Sequence, residues 1–292
     1  MTQIDLAWGE GPSDRYEMLA DRFRPIFADI AKGATDRELN RTLPVAEIEA
    51  LKQAGFGAVR VPEAEGGPGA TLPELFNLLI ELSAADSNVT QALRGHFGFV
   101  EDILSRPQGA DRKRWIDRIL KGEIAGNAWT EIGSASIEGF STRVSEKDGK
   151  IVVNGEKYYT TGSLFADWIH VGVTGLDGAS GAVQVRRDDP GVTVVDDWDG
   201  FGQTLTASGT TTFVDAVVDP ADIVADDNQF RYGAAFYQTV HLATLAGIGR
   251  AITNETANAV ARRTRTYTNA AGPRSSQVPQ VLQVVGRLRS NA

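Results

Sequence analysis

The spacing of apolar residues changes twice along the chain, and this limits the folds open to it. Up to residue 122 the apolar residues recur at three- and four-residue intervals, as Leu93 and Phe97 do, which is typical of helices with one face in a core. Short β-branched runs separated by polar turns follow, and helical spacing then returns. We therefore predict an α+β chain with an N-terminal α-helical domain (1–122), a central β domain (123–225) and a partial C-terminal helical domain (226–292).

The central segment is predicted to form an antiparallel β-sandwich or barrel. Asp148-Gly149 separates two β-branched runs and is a strong hairpin signal. Asn154-Gly155 is predicted to form a second tight turn. Further strand patterns follow with no helical pattern between them, which disfavours the strand–helix alternation of a parallel sheet.

The C-terminal segment contains a long Ala-rich helical pattern from Ala234 to Tyr267 and a shorter one that begins at Pro279. Two amphipathic helices cannot close a bundle by themselves. We therefore expect either that the bundle is truncated in this chain or that its apolar stripes, which include Leu242 and Leu245, meet another subunit. The second alternative predicts a homo-oligomer, either a dimer or a tetramer.

Charge and composition exclude several classes of function. The formal net charge of −9 argues against a nucleic acid or an anionic membrane as the main partner. No apolar run reaches the roughly 18–20 residues that span a bilayer, and the N-terminus lacks a signal-peptide pattern, so we expect a cytoplasmic protein. The chain has no cysteine, and its histidines (His96, His170 and His241) lack metal-ligand spacing, so we predict no metal site. Rossmann, P-loop and hydrolase-elbow motifs are also missing.

The segment from Gly155 to Trp168 carries the clearest chemical signal. It places two tyrosines, two threonines and a tryptophan on a strand that then turns. Aromatic faces beside small hydroxyls suit a flat heteroaromatic ring that must be both stacked and hydrogen-bonded. We interpret this segment as a flavin-binding segment.

Two segments resemble motifs of the acyl-CoA dehydrogenase superfamily. The run AWTEIGSAS (128–136) is similar to the family's TEPGAGSD segment, and NGEKYYTTG (154–162) is similar to its Asn-Gly-x-Lys-x-Trp-Ile-Thr-Asn-Gly segment. Asp215 to Asp219, followed by Pro220, resembles the strand that leaves the family's β domain. The resemblance covers nearly the whole chain and implies the family's fold of a helical domain, a β domain and a C-terminal helical bundle.

Further details resemble the branch of reduced-flavin monooxygenases that includes desulfurisation enzymes. They are YTTGSLFADW (159–168), Asp196-Asp197-Trp198 before Gly202, and RGHF (94–97). This resemblance implies an FMNH2-dependent monooxygenase that acts through a flavin C4a-hydroperoxide on a small apolar or sulfur-containing substrate. It implies reduced FMN from a separate flavin reductase, since no nicotinamide site is visible.

The resemblance also assigns roles to individual residues. His96 and Thr161 correspond to the histidine and the hydroxyl that face the flavin, and Arg263 or Arg265 is a candidate for its phosphate, as arginine forks suit phosphate oxygens. The remaining predicted flavin contacts are Asn127, Trp129, Thr130, Ser136, Tyr159, Trp198, Ser208 and Thr210.

Alternatives remain for the function and for single residues. An FAD-dependent acyl-CoA dehydrogenase is the second prediction, although Ile132, Ala135 and Ile137 replace the Pro, Gly and Asp of the family loop. A non-catalytic flavin-binding or assembly fragment is the third. His96 lies beside an apolar helical stripe and could be a core histidine. His170 and His241 match no family motif and are predicted to be structural.

Overall fold

A computed structural model describes residues 13–133, 139–225, 230–266 and 269–291. Helices at both ends of the chain enclose the strands in sequence, which confirms the predicted α–β–α order. The helices are α1 (Asp14–Asp21), α2 (Arg24–Asn40), α3 (Val45–Gln53), α4 (Leu72–Ala85), α5 (Ser87–Ser105), α6 (Ala110–Leu120), α7 (Gly233–Arg262) and α8 (Pro279–Asn291). The strands are β1 (Ala125–Ala128), β2 (Arg143–Lys147), β3 (Lys150–Lys157), β4 (Trp168–Thr174), β5 (Ser180–Arg186), β6 (Val192–Val194), β7 (Thr211–Val217) and β8 (Ile223–Ala225).

Local sequence explains where the central helices begin. Thr71 and Glu74 form a capping box at the start of α4, in which each side chain accepts a hydrogen bond from the other residue's backbone nitrogen. Asp86 ends α4 and caps α5, because its carboxylate accepts a hydrogen bond of 2.9 Å from Asn88 N. The same carboxylate pairs with the buried Arg37 at 2.8 Å. The α4–α5 corner is therefore held at a defined angle.

The helices share one core. Phe23, Phe27 and Phe97 surround Phe56 with edge-to-face ring contacts of 5.0 to 5.6 Å. Helix α7 joins this core by crossing α4 at Gly247, where a Cβ atom would lie 2.4 Å from Ser83 Cβ. This close approach places the N-terminal half of α7 beside α5.

The strands form one hydrogen-bonded sheet in the order β6-β7-β3-β2-β4-β5-β8, with β1 added beside β4. Most pairs are antiparallel, as predicted. Two pairs of the described strands are parallel, however: β1 with β4, from Ala125 opposite Trp168 to Ala128 opposite Val171, and β2 with β4, where Arg143 lies opposite Thr174. The described part of the 39 residues between β1 and β4 holds the β2–β3 hairpin and a short 3-10 turn (Ser163–Phe165) instead of a crossover α-helix. No helical pattern therefore announced this parallel pair.

The two predicted Asx-Gly turns have different outcomes. Asp148 and Gly149 have φ angles of 51° and 73° between β2 and β3, which confirms the hairpin. Asn154-Gly155 is not a turn, and that prediction is wrong. The pair lies inside β3, where the register with β7 shifts and the Asn154 side chain bonds Asp215. Gly155 has a φ of 149°, and a Cβ atom there would lie 2.6 Å from Thr142 Cα, so glycine is required on both grounds.

The sheet is fastened to the helices next to β1 and β4. The Trp168 ring meets Trp115 of α6 edge to face at 5.0 Å. Asp167 accepts a hydrogen bond from Ile124 N at 2.8 Å and pairs with Lys52 of α3 at 2.9 Å. These contacts hold the starts of β1 and β4 under α5, so that the following residues of both strands face α5 and α7.

The apolar face of α7 is only partly covered. Leu242 is 64% exposed and Leu245 is 63% exposed. The predicted contact of this face with another subunit stays a prediction. No described helix is long and apolar enough to cross a bilayer.

Candidate functional site

A buried ion pair joins the two motif segments of the central domain. Lys157 Nζ, at the end of β3, lies 2.7 Å from Glu131 Oε1, and both side chains are almost fully buried. The Glu131 carboxylate also accepts backbone hydrogen bonds from Ser141 and Thr142 at 2.8 and 2.9 Å. Burial raises the pKa of Glu131, but the hydrogen bonds from Lys157 and the backbone outweigh it and hold the pKa well below its usual range. The pair therefore fixes the segment after Trp129 against β3.

Three polar side chains share one row across the sheet. The β1–β4 register places Asn127 opposite His170, and the β4–β5 register places His170 opposite Gln184. Residues in one row of a sheet project from the same face. Asn127 Oδ1 is buried and has no hydrogen-bond partner among the described residues. This row is the polar centre of the candidate site.

His170 is held as a neutral hydrogen-bond donor. Its ring lies between the rings of Phe99 and Trp129, at centroid distances of 5.5 and 5.2 Å. Gln184 Nε2 lies 2.7 Å from His170 Nδ1, so the amide donates to Nδ1 and the ring proton stays on Nε2. Burial, with a smaller contribution from the charge of Arg106, lowers the pKa of His170 to about 3. The imidazole is therefore uncharged at neutral pH.

A cavity of about 470 Å³ opens between this row and the helices. Asn127, Trp129, Thr130, Tyr159 and His170 line its sheet side. Arg94, Phe99 and Asp102 of α5 line the opposite side, together with Phe230 and with Tyr237 of α7. The cavity has the size and the mixed apolar and polar lining of a small-molecule site.

Asp102 is a carboxylate of this lining. Its Oδ2 accepts a hydrogen bond of 2.7 Å from Arg106, one turn further along α5. Burial raises the pKa of Asp102, although the charge of Arg106 opposes this shift.

Four of the predicted flavin contacts therefore line one cavity: Asn127, Trp129, Thr130 and Tyr159. Tyr159 adopts a φ of 56°, which turns its half-exposed ring out of the strand and to within 5.7 Å of the Trp198 ring. The unpartnered Asn127 oxygen fits the N–H groups of a flavin ring, and the Trp129 and Tyr159 rings offer faces for stacking. The residues present fit a flavin.

The predicted hydroxyl donors lie behind the cavity wall. Thr161 Oγ1 and Ser208 Oγ are 2.7 Å apart, and Ser208 is bonded in turn to Thr206 at 2.7 Å. All three side chains are buried, so they form a hydroxyl chain beneath the turn at Gly162. Thr161 is not among the described residues that line the cavity.

Thr210 is occupied by an internal partner. Its backbone nitrogen and its hydroxyl both donate to the Asp197 carboxylate, each at 2.7 Å. Its donors are therefore used within the protein, beside a negative charge. Trp198 follows this carboxylate, and its Nε1 lies 3.4 Å from Gly202 O.

His96 lies in the core between α5 and β1. It is fully buried, with Nε2 3.0 Å from Gly57 O, and its Nδ1 accepts a hydrogen bond of 3.2 Å from Ala125 N. Both ring nitrogens are bonded to backbone, and His96 is not among the described cavity-lining residues. This geometry agrees with the alternative interpretation from the sequence, in which His96 is a core histidine.

The other predicted contacts are not brought to the cavity within this chain. Arg263 and Arg265 are exposed just beyond the end of α7, and their role stays a prediction. Ser136 lies outside the described residues.

The site residue that sequence reasoning missed is His170. A signal for it was present, since His170 and Gln184 each interrupt a strand of small and β-branched residues, between Ile169 and Val171 and between Val183 and Val185. A polar residue flanked by buried apolar neighbours lies on the other face of its strand. Only the pairing of β4 with β5 shows that the two polar residues meet.

The fully buried His96 and the partly buried His170 are both expected to stay neutral under mildly acidic conditions. Burial lowers the pKa of His96 to about 4 and that of His170 to about 3. In ¹⁵N-detected NMR their imidazole signals should keep the neutral pattern from pH 8 down to about pH 5. An unfolded histidine protonates near pH 6.5, so these groups should also make the fold less stable as the pH falls below about 6.5. The His170 signal is the one that disappears in the His170→Phe variant. A protonation midpoint near pH 6.5 for this signal would contradict the shielding of His170 from water.

Comparison with known proteins gives a consistent result. Residues 13–123 match the family described as acyl-CoA dehydrogenase, N-terminal domain. A dibenzothiophene monooxygenase of Rhodococcus qingshengii is 30% identical over an alignment of 212 residues that covers 68% of this chain and 49% of that protein. The chain thus spans about half the length of this curated relative.

Two solved structures share the fold. The FMN-bound crystal structure of TdsC from Paenibacillus sp. A11-2 has a TM-score of 0.82 at 23% identity, covering 93% of this chain and 72% of that chain. Butyryl-CoA dehydrogenase from Megasphaera elsdenii has a TM-score of 0.80 at 16% identity, covering 96% of this chain and 76% of that chain. At these identities the likeness concerns the fold alone.

Proposed function

We propose that this chain is a member of the acyl-CoA dehydrogenase superfamily, whose N-terminal domain residues 13–123 match, and that it is a flavin-dependent oxidoreductase, namely an FMNH2-dependent monooxygenase of a small apolar or sulfur-containing substrate. The observation that carries the proposal is the row of Asn127, His170 and Gln184, of which Asn127 and His170 line the cavity. It offers neutral hydrogen-bonding groups beside aromatic faces.

The proposal divides the work between cofactor and protein. Reduced FMN, when bound, supplies the two electrons that activate dioxygen. Asn127 Oδ1 would accept a hydrogen bond from the ring, and Trp129 and Tyr159 would stack on it. His170 Nε2–H would donate to an oxygen in the cavity without adding charge. A neutral donor that is already oriented stabilises developing negative charge without reorganisation.

The apolar lining has a second role. Phe99, Trp129 and Phe230 enclose the cavity around the imidazole. Exclusion of water strengthens hydrogen bonds inside a site and suppresses side reactions of unstable species. A separate flavin reductase, a homo-oligomeric assembly and a cytoplasmic location remain part of the proposal.

Rapid mixing of the protein with reduced FMN and then with oxygenated buffer tests the monooxygenase proposal. We expect an absorbance phase that precedes the return of oxidised flavin, because the cavity protects the reacting centre from water. Flavin that reoxidises as fast as in protein-free buffer, with one hydrogen peroxide released per flavin, would contradict the proposal. Bovine serum albumin at the same concentration serves as the control.

An FAD-dependent acyl-CoA dehydrogenase is the second candidate, and Asp102 is the observation that favours it. Such an enzyme needs a carboxylate base, and Asp102 lines the cavity with a raised pKa. One of its oxygens is held by Arg106, however. A saturated acyl-CoA should then bleach bound FAD under anaerobic conditions, and the Asp102→Asn variant should not be bleached. This result would establish the dehydrogenase function in place of the monooxygenase function.

A further inference from the structure

We propose that the cavity takes a substrate with one oxyanion group, a carboxylate or a sulfur oxyanion, which is bound by the Arg94 guanidinium and the Tyr237 hydroxyl. The inference rests on the proposed function and specifies its substrate class. The remainder of the substrate would lie toward Phe99 and Phe230 of the cavity lining, and Trp129 and Tyr159 remain the faces for the flavin ring.

Arg94 is a cation without an internal acceptor. Among the described residues it forms no ion pair and donates no hydrogen bond, and its Nε is buried without a partner. The guanidinium carbon lies 5.4 Å from the centroid of the Tyr237 ring, and both residues line the cavity. Burial lowers the pKa of Arg94, and the contact with Tyr237 opposes this shift only in part. An arginine remains charged even so.

Tyr237 supplies a second unused donor. Its hydroxyl makes no hydrogen bond to a described residue and lies over Gly98 of α5. A Cβ atom at residue 98 would come within 2.1 Å of this oxygen, so only glycine leaves room for the phenol at the cavity wall. Burial raises the pKa of Tyr237, which keeps the hydroxyl protonated. A protonated phenol donates to an anion.

The other charged groups do not neutralise Arg94. Asp102 lies eight residues further along α5, which is about 12 Å along a helix axis, and Arg106 already binds it. His241 lies one turn beyond Tyr237 on α7, and burial together with the charge of Arg94 lowers its pKa, so it is neutral. Arg231 lines the same cavity and is exposed. Among the described residues, no carboxylate therefore pairs with Arg94, although the Asp102 charge also acts on the Tyr237 hydroxyl.

An oxyanion would complete this arrangement. Desolvating a cation without a partner is costly, and the cost is recovered when an anion binds with charge-assisted hydrogen bonds. A planar guanidinium suits the two oxygens of a carboxylate or a sulfinate. Neutral analogues would leave the cation unpaired and bind more weakly.

Calorimetric titration of the flavin-free protein separates this inference from the proposed function. The probes are two matched pairs: benzenesulfinate with methyl phenyl sulfone, and benzoate with benzamide. We expect the anion of at least one pair to bind at least about tenfold more tightly than its neutral partner. The better anion identifies the substrate as a sulfur oxyanion or a carboxylate.

Substitutions then assign the preference to residues. Arg94→Gln should weaken binding of the preferred anion about 30-fold and leave binding of its neutral partner unchanged. Tyr237→Phe should weaken binding of the same anion about fivefold. Arg22→Gln is the matched control, because Arg22 lies at the same 5.4 Å from an aromatic ring, that of Phe23, but not at the cavity. It should leave both affinities at the wild-type values.

Two results would overturn the inference. One is equal affinity for anions and neutral analogues in the wild-type protein. The other is an Arg94→Gln variant that binds the anions normally but has lost affinity for reduced FMN, which would place Arg94 in the flavin site. Failure of the oxygen reaction with normal anion binding would instead reject the monooxygenase proposal and leave the anion site standing.

Discussion

Replacing Lys157 by methionine is expected to lower the free energy of unfolding by about 3–5 kcal/mol. The reason is that Glu131 would keep its buried charge and lose the ammonium 2.7 Å away. Removing one partner of a buried pair leaves an uncompensated charge, whereas the methionine itself fits an apolar site. Urea unfolding followed by tryptophan fluorescence measures the change.

Lys147→Met provides the matched control in the same sheet. Lys147 pairs with Asp215 at 2.6 Å, but its side chain is 56% exposed, and exposed pairs contribute little to stability. Its unfolding midpoint should stay close to that of the wild type. If both variants lost the same stability, the buried pair would have no special part in holding the segment after Trp129.

The same pair predicts a pH dependence. Because hydrogen bonds hold the pKa of Glu131 below its usual value, the carboxylate adds stability above the unfolded-state pKa of about 4.3, and this is lost as the pH falls toward the folded-state value. The stability difference between wild type and Glu131→Gln should therefore be constant above about pH 5.5 and shrink below about pH 4. A difference that grows on acidification would contradict the assignment.

Replacing His170 by phenylalanine is expected to reduce coupled substrate oxygenation by about 100-fold or more, since removing one preorganised donor from a reacting centre has effects of this size. Phenylalanine preserves a ring between Phe99 and Trp129 and removes only the nitrogens. Product formed per flavin consumed, measured together with hydrogen peroxide, gives the coupling.

His96→Asn is the comparison that distinguishes the two histidines. His96 bonds only backbone atoms, Gly57 O and Ala125 N, so its replacement should lower the melting temperature and leave the coupling of the folded fraction intact. The opposite pattern, with coupling lost in His96→Asn and kept in His170→Phe, would return the role to His96.

Local patterns determined the element order of this protein. The helix start at Pro279 and the Asp148-Gly149 hairpin formed as predicted. The capping residues Thr71 and Asp86, which the structure shows, likewise act within a few residues of the chain. Their energies come from neighbouring backbone groups, so the sequence near each one is sufficient to specify it. The change in apolar spacing near residue 123 likewise marked where strands replace helices, and the change near residue 226 marked where helices return.

Long-range pairing decided the site. Periodicity shows that His96 and His170 each lie beside apolar residues, but it cannot show what faces them across the interior. The parallel pairing of β1 with β4, which no local signal announces, places Asn127 beside His170 and lets both face α5 and α7. Register is a property of two strands and not of one, and Asn154-Gly155 became a bulge in β3 for the same reason. The sequence by itself thus determined the elements and the flavin-type motifs, and only the tertiary structure decided which histidine reaches the cavity.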